Sequence, residues 1–432
     1  MNISESSSRG FPVRKRRSHR KSRAGCRNCK IRRIKCDETQ PRCKNCISFL
    51  VECNYDPKAP DLHVSPNQDR GDPGVRVSML STTLTNETLL NTANSSLRGH
   101  YPANFKIDNV RLLNREDLDR LKRWHTRTVF TIGTPDTSLI YQLEISRLVC
   151  LHPYLMHAVL AMTAMHDRFL QSPKLPSFAH STAIECYHHS SAAALFNAKL
   201  SSQIEPSDRN ALWATAVLLS SMATFSVESS DPEELWPLAP PSPSQLEWLN
   251  MNQGLRVAWD IAEPISPGGL FHDLARNPHY SYFQSKMTSE PQPGIDGIPD
   301  TFINLCDLTP LSNAHNNSYH ASVRMLSALL DVECTPFTMV RFLSFLALMQ
   351  PRFKALLKNK DARAMLLLAY WYAKVCESQW WIKTRAVLEC TAICVYLERY
   401  HSDDPRVMQM LEFPKARCRL PQEGGIAGHK NQ

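Results

Sequence analysis

Six cysteines near the N-terminus of this 432-residue chain are the residues best placed to do chemistry, and they follow one spacing, Cys26-x2-Cys29-x6-Cys36-x6-Cys43-x2-Cys46-x6-Cys53. Each half is a CxxC pair followed seven residues later by a single cysteine, so the motif is an internal duplication. Zinc prefers a tetrahedral shell of four thiolates. Six thiolates can give two zinc ions four sulfurs each only if two of them bridge. A closed cluster of that kind folds a short segment without a hydrophobic core. The residues between the cysteines are mostly Lys, Arg and Asn, and Lys30, Arg32, Arg33 and Lys35 all fall in the first six-residue gap.

That gap suits DNA for a geometric reason. The segment after a CxxC pair is expected to form a short helix held by metal at both ends, so its side chains project together into a groove. Arg can donate two hydrogen bonds to the guanine edge, while Lys and backbone N–H groups position the unit on phosphates. Asp37, directly after Cys36, is expected to cap or pair locally, and Pro41 suits the loop joining the two halves. The charge partition agrees: residues 1–56 hold fifteen Lys or Arg against five Asp or Glu, and the remainder holds 35 against 36. Six thiolates on two Zn²⁺ subtract about two charges, leaving the segment at roughly +8. A local excess of that size marks contact with a polyanion.

The elements that position this site follow from composition. Residues 1–24 read as a disordered basic tail, in which Arg14 to Arg23 form a nuclear-import signal and supply further phosphate contacts. Residues 25–56 are the cysteine unit. Residues 57–110, with scattered Pro, Ser, Thr, Asn and Gly, read as a disordered linker without a leucine heptad for dimerisation. Residues 111–410 carry helical periodicity with almost no strand signal, and the polar, Gly-containing stretch 411–432 reads as a tail. The expected fold is therefore a small two-zinc, six-cysteine domain joined by a linker to a large all-α domain.

Within the helical part the clearest segments are Glu116 to Val129, Ser138 to Cys150, Pro153 to Leu170, Asp361 to Cys376 and Lys383 to Tyr400. Others are expected near 177–203, 207–226 and 244–262, with Ser244 as a helix cap after the proline-rich turn at 235–244. Residues 264–312 read as a long, partly ordered connection. The eight cysteines outside the motif, Cys150 to Cys418, lack ligand spacing and are expected to pack mostly as small buried hydrophobes. No apolar run approaches 18 residues, so no membrane span is expected.

Enzyme chemistry finds no support, because phosphate-loop, nucleophile-elbow, HExxH and dinucleotide signatures are all missing. A thiolate-based redox or metal sensor is the alternative use of the same cysteines. The whole pattern, CxxC, a basic run ending Lys35-Cys36-Asp37, Pro41, then CxxC and a final cysteine, resembles the fungal binuclear zinc-cluster DNA-binding domain. The resemblance implies two Zn²⁺ per chain, bridging by Cys26 and Cys43, base reading by Arg32 and Arg33, and backbone contacts by Lys30 and Lys35. It further implies a nuclear, sequence-specific transcription factor acting on RNA polymerase II genes.

A second resemblance rests on His19 to Cys26, Trp236 to Trp248, Leu368 to Trp371 and Trp380 to Arg385, which are similar to sterol uptake control-type regulators. That likeness implies a regulatory helical domain that dimerises, meets co-regulators and binds a sterol or other lipid. It also implies targets among sterol or secondary-metabolism genes.

Overall fold

The computed structural model describes residues 24–31, 35–41, 43–48, 53–55, 86–101, 111–171, 181–288 and 291–418. The chain divides into two units, residues 1–82 and 83–432. Among the described residues there is no strand.

The first unit contains two short helices, α1 (Arg27–Ile31) and α2 (Lys44–Ser48). Its buried side chains are sulfurs rather than hydrocarbon: Cys26, Cys29, Cys36, Cys43 and Cys46 are almost fully covered, with Cys53 and Tyr55 packed against them.

The second unit is helical throughout. It opens with α3 (Asn86–His100), α4 (Arg115–Thr126), α5 (Pro135–Ile140), a π-helical turn at Tyr141–Ile145 and the stub α6 (Ser146–Leu148). The central layer follows as α7 (Pro153–Gln171), α8 (Ala183–Leu200), α9 (Arg209–Phe225) and α10 (Glu247–Ala262). Five shorter helices come next: α11 (Pro278–Thr288), α12 (Asp300–Leu305), α13 (His320–Ser327), α14 (Met339–Ala347) and α15 (Pro351–Lys358). The chain then returns through the core as α16 (Ala362–Val375) and α17 (Trp380–Tyr400), and closes with α18 (Pro405–Arg417).

Local sequence explains where several of these helices begin. Asn114 caps α4, its side chain accepting from Asp117 N at 3.0 Å while the Asp117 carboxylate accepts from Asn114 N at 3.1 Å, a reciprocal capping box. Thr182, Asp361 and Asp404 cap α8, α16 and α18, and Pro153 fills the first turn of α7. Every residue of α7 from Pro153 to His166 is buried, because the helix packs against α8, α9 and α4. Helix α16 is covered in the same way by α17 and α18. Two buried indoles are satisfied by the backbone: the Trp371 N–H donates to Phe342 O at 2.9 Å, and that of Trp381 to Ile132 O at 3.2 Å.

Four sequence expectations need correction. The linker assigned to 57–110 contains α3, whose Leu97 is buried and whose Asn94 side chain exchanges hydrogen bonds with both backbone groups of Leu113. This helix is rich in Asn, Thr and Ser, so docking rather than propensity holds it, and the pattern Leu90, Ala93, Leu97 is its only apolar stripe. The connection assigned to 264–312 carries α11, α12 and a 3-10 turn at His272–Arg276, and buries Phe271, Phe283, Phe302 and Leu305. Pro278 opens α11 and Pro299 caps α12, so neither interrupts a helix, and the remaining prolines fall between the elements. The tail assigned from 411 onward begins inside α18, with Leu411, Pro414 and Cys418 buried; residues 419–432 lie outside the described residues. Ser244 does not cap α10, which starts at Glu247 after a left-handed Leu246; its hydroxyl instead donates to the Glu228 carboxylate at 3.1 Å.

Of the cysteines outside the motif, Cys306, Cys376, Cys390, Cys394 and Cys418 are buried as expected, whereas Cys186 is exposed.

Three histidines give this unit a defined acid sensitivity. Burial holds the rings of His157 at about 3, His152 at about 4 and His166 at about 4, against an ordinary value near 6.5. His157 sits in a chain of contacts: its Nε2 meets the Tyr101 hydroxyl at 3.0 Å, its Nδ1 meets His188 Nδ1 at 2.8 Å, and His188 Nε2 meets Asp117 Oδ1 at 3.3 Å. The facing Nδ1 atoms need one donor and one acceptor, and burial keeps the His157 ring neutral. The unfolded chain takes up these protons below about pH 6.5 while the folded chain resists them. Stability is therefore full above that value and falls as the pH drops toward the folded values. Between pH 7 and pH 5 the unfolding free energy is expected to drop by about 2–4 kcal/mol in denaturant titrations. An unchanged midpoint would contradict this.

Candidate metal centre and nucleic-acid interface

The two CxxC pairs are built alike. In each, the first cysteine immediately precedes a short helix and the second lies in its first turn, Cys26 and Cys29 with α1, Cys43 and Cys46 with α2. The backbone N–H of the second cysteine donates to the sulfur of the first, at 3.4 Å for Cys29 to Cys26 and 3.3 Å for Cys46 to Cys43. Two more N–H groups serve the single cysteines, Glu38 N to Cys36 Sγ and Cys43 N to Cys53 Sγ, both at 3.4 Å. Donation of this kind favours the thiolate form that a metal needs.

The sulfurs converge. Cys26 Sγ lies 3.8 Å from Cys43 Sγ and 3.5 Å from Cys46 Sγ, and Cys29 Sγ lies 3.6 Å from Cys43 Sγ. Cys36 neighbours Cys29 and Cys43, while Cys53 neighbours Cys26 and Cys43. The sulfurs of Cys26, Cys29, Cys43 and Cys46 all lie within 4.8 Å of one another, with Cys36 and Cys53 at the margins of this group. A tetrahedron with Zn–S bonds of about 2.3 Å has edges of about 3.8 Å, so these separations fit a zinc thiolate shell. Burial, then hydrogen bonds with neighbouring thiols, pushes Cys29 and Cys46 upward. A dication among the sulfurs reverses that balance.

The surroundings are polar and specific. Asp37 lies beside Cys36 and Cys43 but commits its oxygens elsewhere, accepting from the Thr39 hydroxyl at 2.5 Å and from Lys44 N at 3.0 Å at the start of α2. The Thr39 hydroxyl holds the Asp37 carboxyl below its usual range. This is the local capping expected from sequence. Lys30 is exposed in the last turn of α1, and Lys35 is exposed just beyond it, its carbonyl accepting from Asn45 Nδ2 at 2.7 Å. Arg32, Arg33 and the Arg14 to Arg23 run lie outside the described residues.

Two residues escaped sequence reasoning. Asn54 is buried, its side chain accepting from Asn28 N at 2.7 Å and its carbonyl from Arg27 N at 3.2 Å, which ties the end of the unit to its first helix. The Tyr55 hydroxyl meets Cys36 Sγ at 3.3 Å. Their signal was position, directly after the last cysteine, where a closing residue is needed.

The arrangement is that of a closed zinc–thiolate cluster with basic residues on an adjoining helix. Residues 24–61 match the fungal Zn(2)-Cys(6) binuclear cluster domain, a domain that holds two zinc ions on six cysteines. Over 89% of this chain and 83% of the relative, the sequence is 26% identical to a Zn(2)-C6 fungal-type transcription factor of Gibberella zeae. It is 31% identical to the Zn(2)-C6 fungal-type transcription factor afumD of Aspergillus fumigatus over 35% of this chain and 34% of that one. Sterol uptake control protein 2 of Saccharomyces cerevisiae is 54% identical over 10% of this chain and 5% of its own length.

Proposed function

We propose that the chain is a zinc-dependent, sequence-specific DNA-binding regulator of transcription that acts in the nucleus on RNA polymerase II genes. The observation that carries this reading is the convergence of the cysteine sulfurs, with separations of 3.5–3.8 Å, inside a segment that matches the binuclear cluster domain; sharing of Cys26 and Cys43 between two zinc ions is part of the proposal. Cys26, Cys29, Cys36 and Cys43 hold one zinc; Cys26, Cys43, Cys46 and Cys53 hold the other. The metals supply rigidity: both have four sulfurs, so neither keeps an open position for catalysis or for a sensed ligand. Arg32 and Arg33 read base edges, and Lys30 and Lys35 neutralise phosphates on either side. The test is selection: at physiological salt the full chain is expected to prefer its best GC-containing duplex over an unrelated one by about a thousandfold or more. Equal affinity for all duplexes would overturn the reading.

The two kinds of basic residue should respond differently. Arg32→Ala or Arg33→Ala is expected to cost about 1–3 kcal/mol on the preferred site and to relax the choice of base at one position. Lys30→Ala or Lys35→Ala is expected to weaken every duplex alike and to lower the slope of log affinity against log salt by about one. Fluorescence anisotropy across a salt series separates the two outcomes.

In the same reading the helical unit is regulatory: it dimerises, meets co-regulators and takes a sterol or other lipid. Support comes from similarity to a transcription factor along most of the chain and from the cluster segment shared with sterol uptake control protein 2. Sterol or secondary-metabolism genes are the corresponding targets.

A further inference from the structure

The helical unit holds an apolar cavity of about 120 Å³, lined mainly by Trp213, Trp259, Phe271, Phe283, Met339 and Leu343. Most polar groups on its wall are already engaged. Thr137 donates to Thr134 O at 2.9 Å, both threonines serve the Tyr280 hydroxyl, and Ser221 donates to Val217 O at 2.9 Å. Tyr141 is the exception: it is buried on the cavity wall and its hydroxyl has no hydrogen-bond partner.

Three features keep that hydroxyl where it is. The Tyr141 ring is wedged between Trp124 and Phe271, with centroids 6.4 Å and 6.0 Å away. It is the first residue of the π-helical turn Tyr141–Ile145, a local distortion of the kind that proteins keep at functional sites. Burial also pushes the phenol upward, so it stays a neutral donor. A water molecule would be poorly held here, since a buried water needs two to four polar partners and the neighbouring hydroxyls are occupied.

We infer that this cavity binds a small apolar molecule, about one ring in size, whose single hydroxyl or carbonyl oxygen pairs with Tyr141. Volume sets the size: an engineered apolar cavity of about 150 Å³ takes benzene, and a four-ring sterol is several times larger. The inference rests on the regulatory reading of the helical unit and narrows its ligand class, from a whole sterol to a monocyclic alcohol, phenol or ketone. Aromatic walls supply the affinity, and the lone hydroxyl supplies the choice among molecules of one shape.

The test uses the zinc-loaded full chain, with p-cresol, toluene and ergosterol as probes in titration calorimetry and thermal melts of the helical unit. The expected result is saturable p-cresol binding at one site, about tenfold tighter than toluene, with a matching rise in melting temperature. Tyr141→Phe is expected to erase the preference for p-cresol while still admitting toluene. Leu343→Phe, which fills the cavity, is expected to abolish both. No saturable binding of either ring compound, tighter binding of ergosterol than of p-cresol, or an unchanged p-cresol preference in Tyr141→Phe would each overturn the inference. None of these measurements involves DNA, so they succeed or fail independently of the zinc-cluster reading.

Discussion

Replacing Cys43 by Ser in the full chain is expected to abolish sequence-specific DNA binding, leaving only weak salt-sensitive attachment, about a thousandfold or more below the parent. Cys43 Sγ neighbours the sulfurs of Cys26, Cys29, Cys36, Cys46 and Cys53, so in the proposed cluster its loss takes a ligand from each zinc at once. Cys53 holds one zinc in that cluster, and Cys53→Ser is expected to be the milder change. The size of the effect follows from what the metal does in a unit whose described residues bury sulfurs rather than a hydrocarbon core: structural zinc binding supplies about 10–16 kcal/mol, which here is the folding free energy. Chelation should reproduce the Cys43→Ser phenotype in the parent and leave the melting of the helical unit unchanged. Metal content by mass spectrometry, read beside anisotropy on a preferred and a scrambled duplex, decides the matter. Preferred-site binding that persists after both zincs are gone would falsify the zinc-dependent mechanism.

Arg385→Ala is expected to destabilise the helical unit by about 3–5 kcal/mol, the largest single-residue effect outside the cluster. Arg385 and Glu389 sit one turn apart on α17, both buried, and form an ion pair. The guanidinium also donates to Thr224 O at 2.8 Å, Ala223 O at 3.3 Å and Ser226 O, at the end of α9, and lies 4.8 Å from the Trp248 ring of α10. Glu389 accepts from the buried Tyr372 hydroxyl of α16. Removing the arginine strands a buried carboxylate and three carbonyl groups, and those orphaned groups carry most of the cost. The double change Arg385→Met with Glu389→Leu is expected to recover the part of the loss due to the stranded charge, while the three carbonyl groups and the Tyr372 hydroxyl still lack their partner. Denaturant titration of the four-member cycle measures the coupling. A single variant within about 1 kcal/mol of the parent would show that the network does not hold α9, α10, α16 and α17 together.

Trp380, Trp381 and Arg385 belong to a run that resembles the sterol uptake control-type regulators, and the structure gives them three different tasks. Trp380 stacks on His166 with centroids 4.7 Å apart, Trp381 reaches the backbone of Ile132, and Arg385 bridges helices. All three lie on α17, which sequence periodicity located to within a few residues of its N-terminus. Helices with dense apolar faces, α7, α9, α16 and α17, were legible because burial on most sides leaves a compositional trace. Helix α3 left almost none: a few apolar residues suffice once a neighbour offers a groove, and no property of the segment itself announces the neighbour.

The sequence by itself determined the ligand chemistry, the number of sulfurs, the concentration of positive charge around them and the helical class of the remainder. These depend on covalent spacing, composition and local periodicity, which a chain carries before it folds. Only the tertiary structure decided how closely the cysteine sulfurs approach one another, that Arg385 and Glu389 sustain a buried charge pair, and that Tyr141 closes a cavity with an unmet hydroxyl. Each of those depends on residues far apart along the chain, Cys26 with Cys43, Arg385 with Thr224, Tyr141 with Phe271, and such neighbours are chosen by packing rather than by spacing.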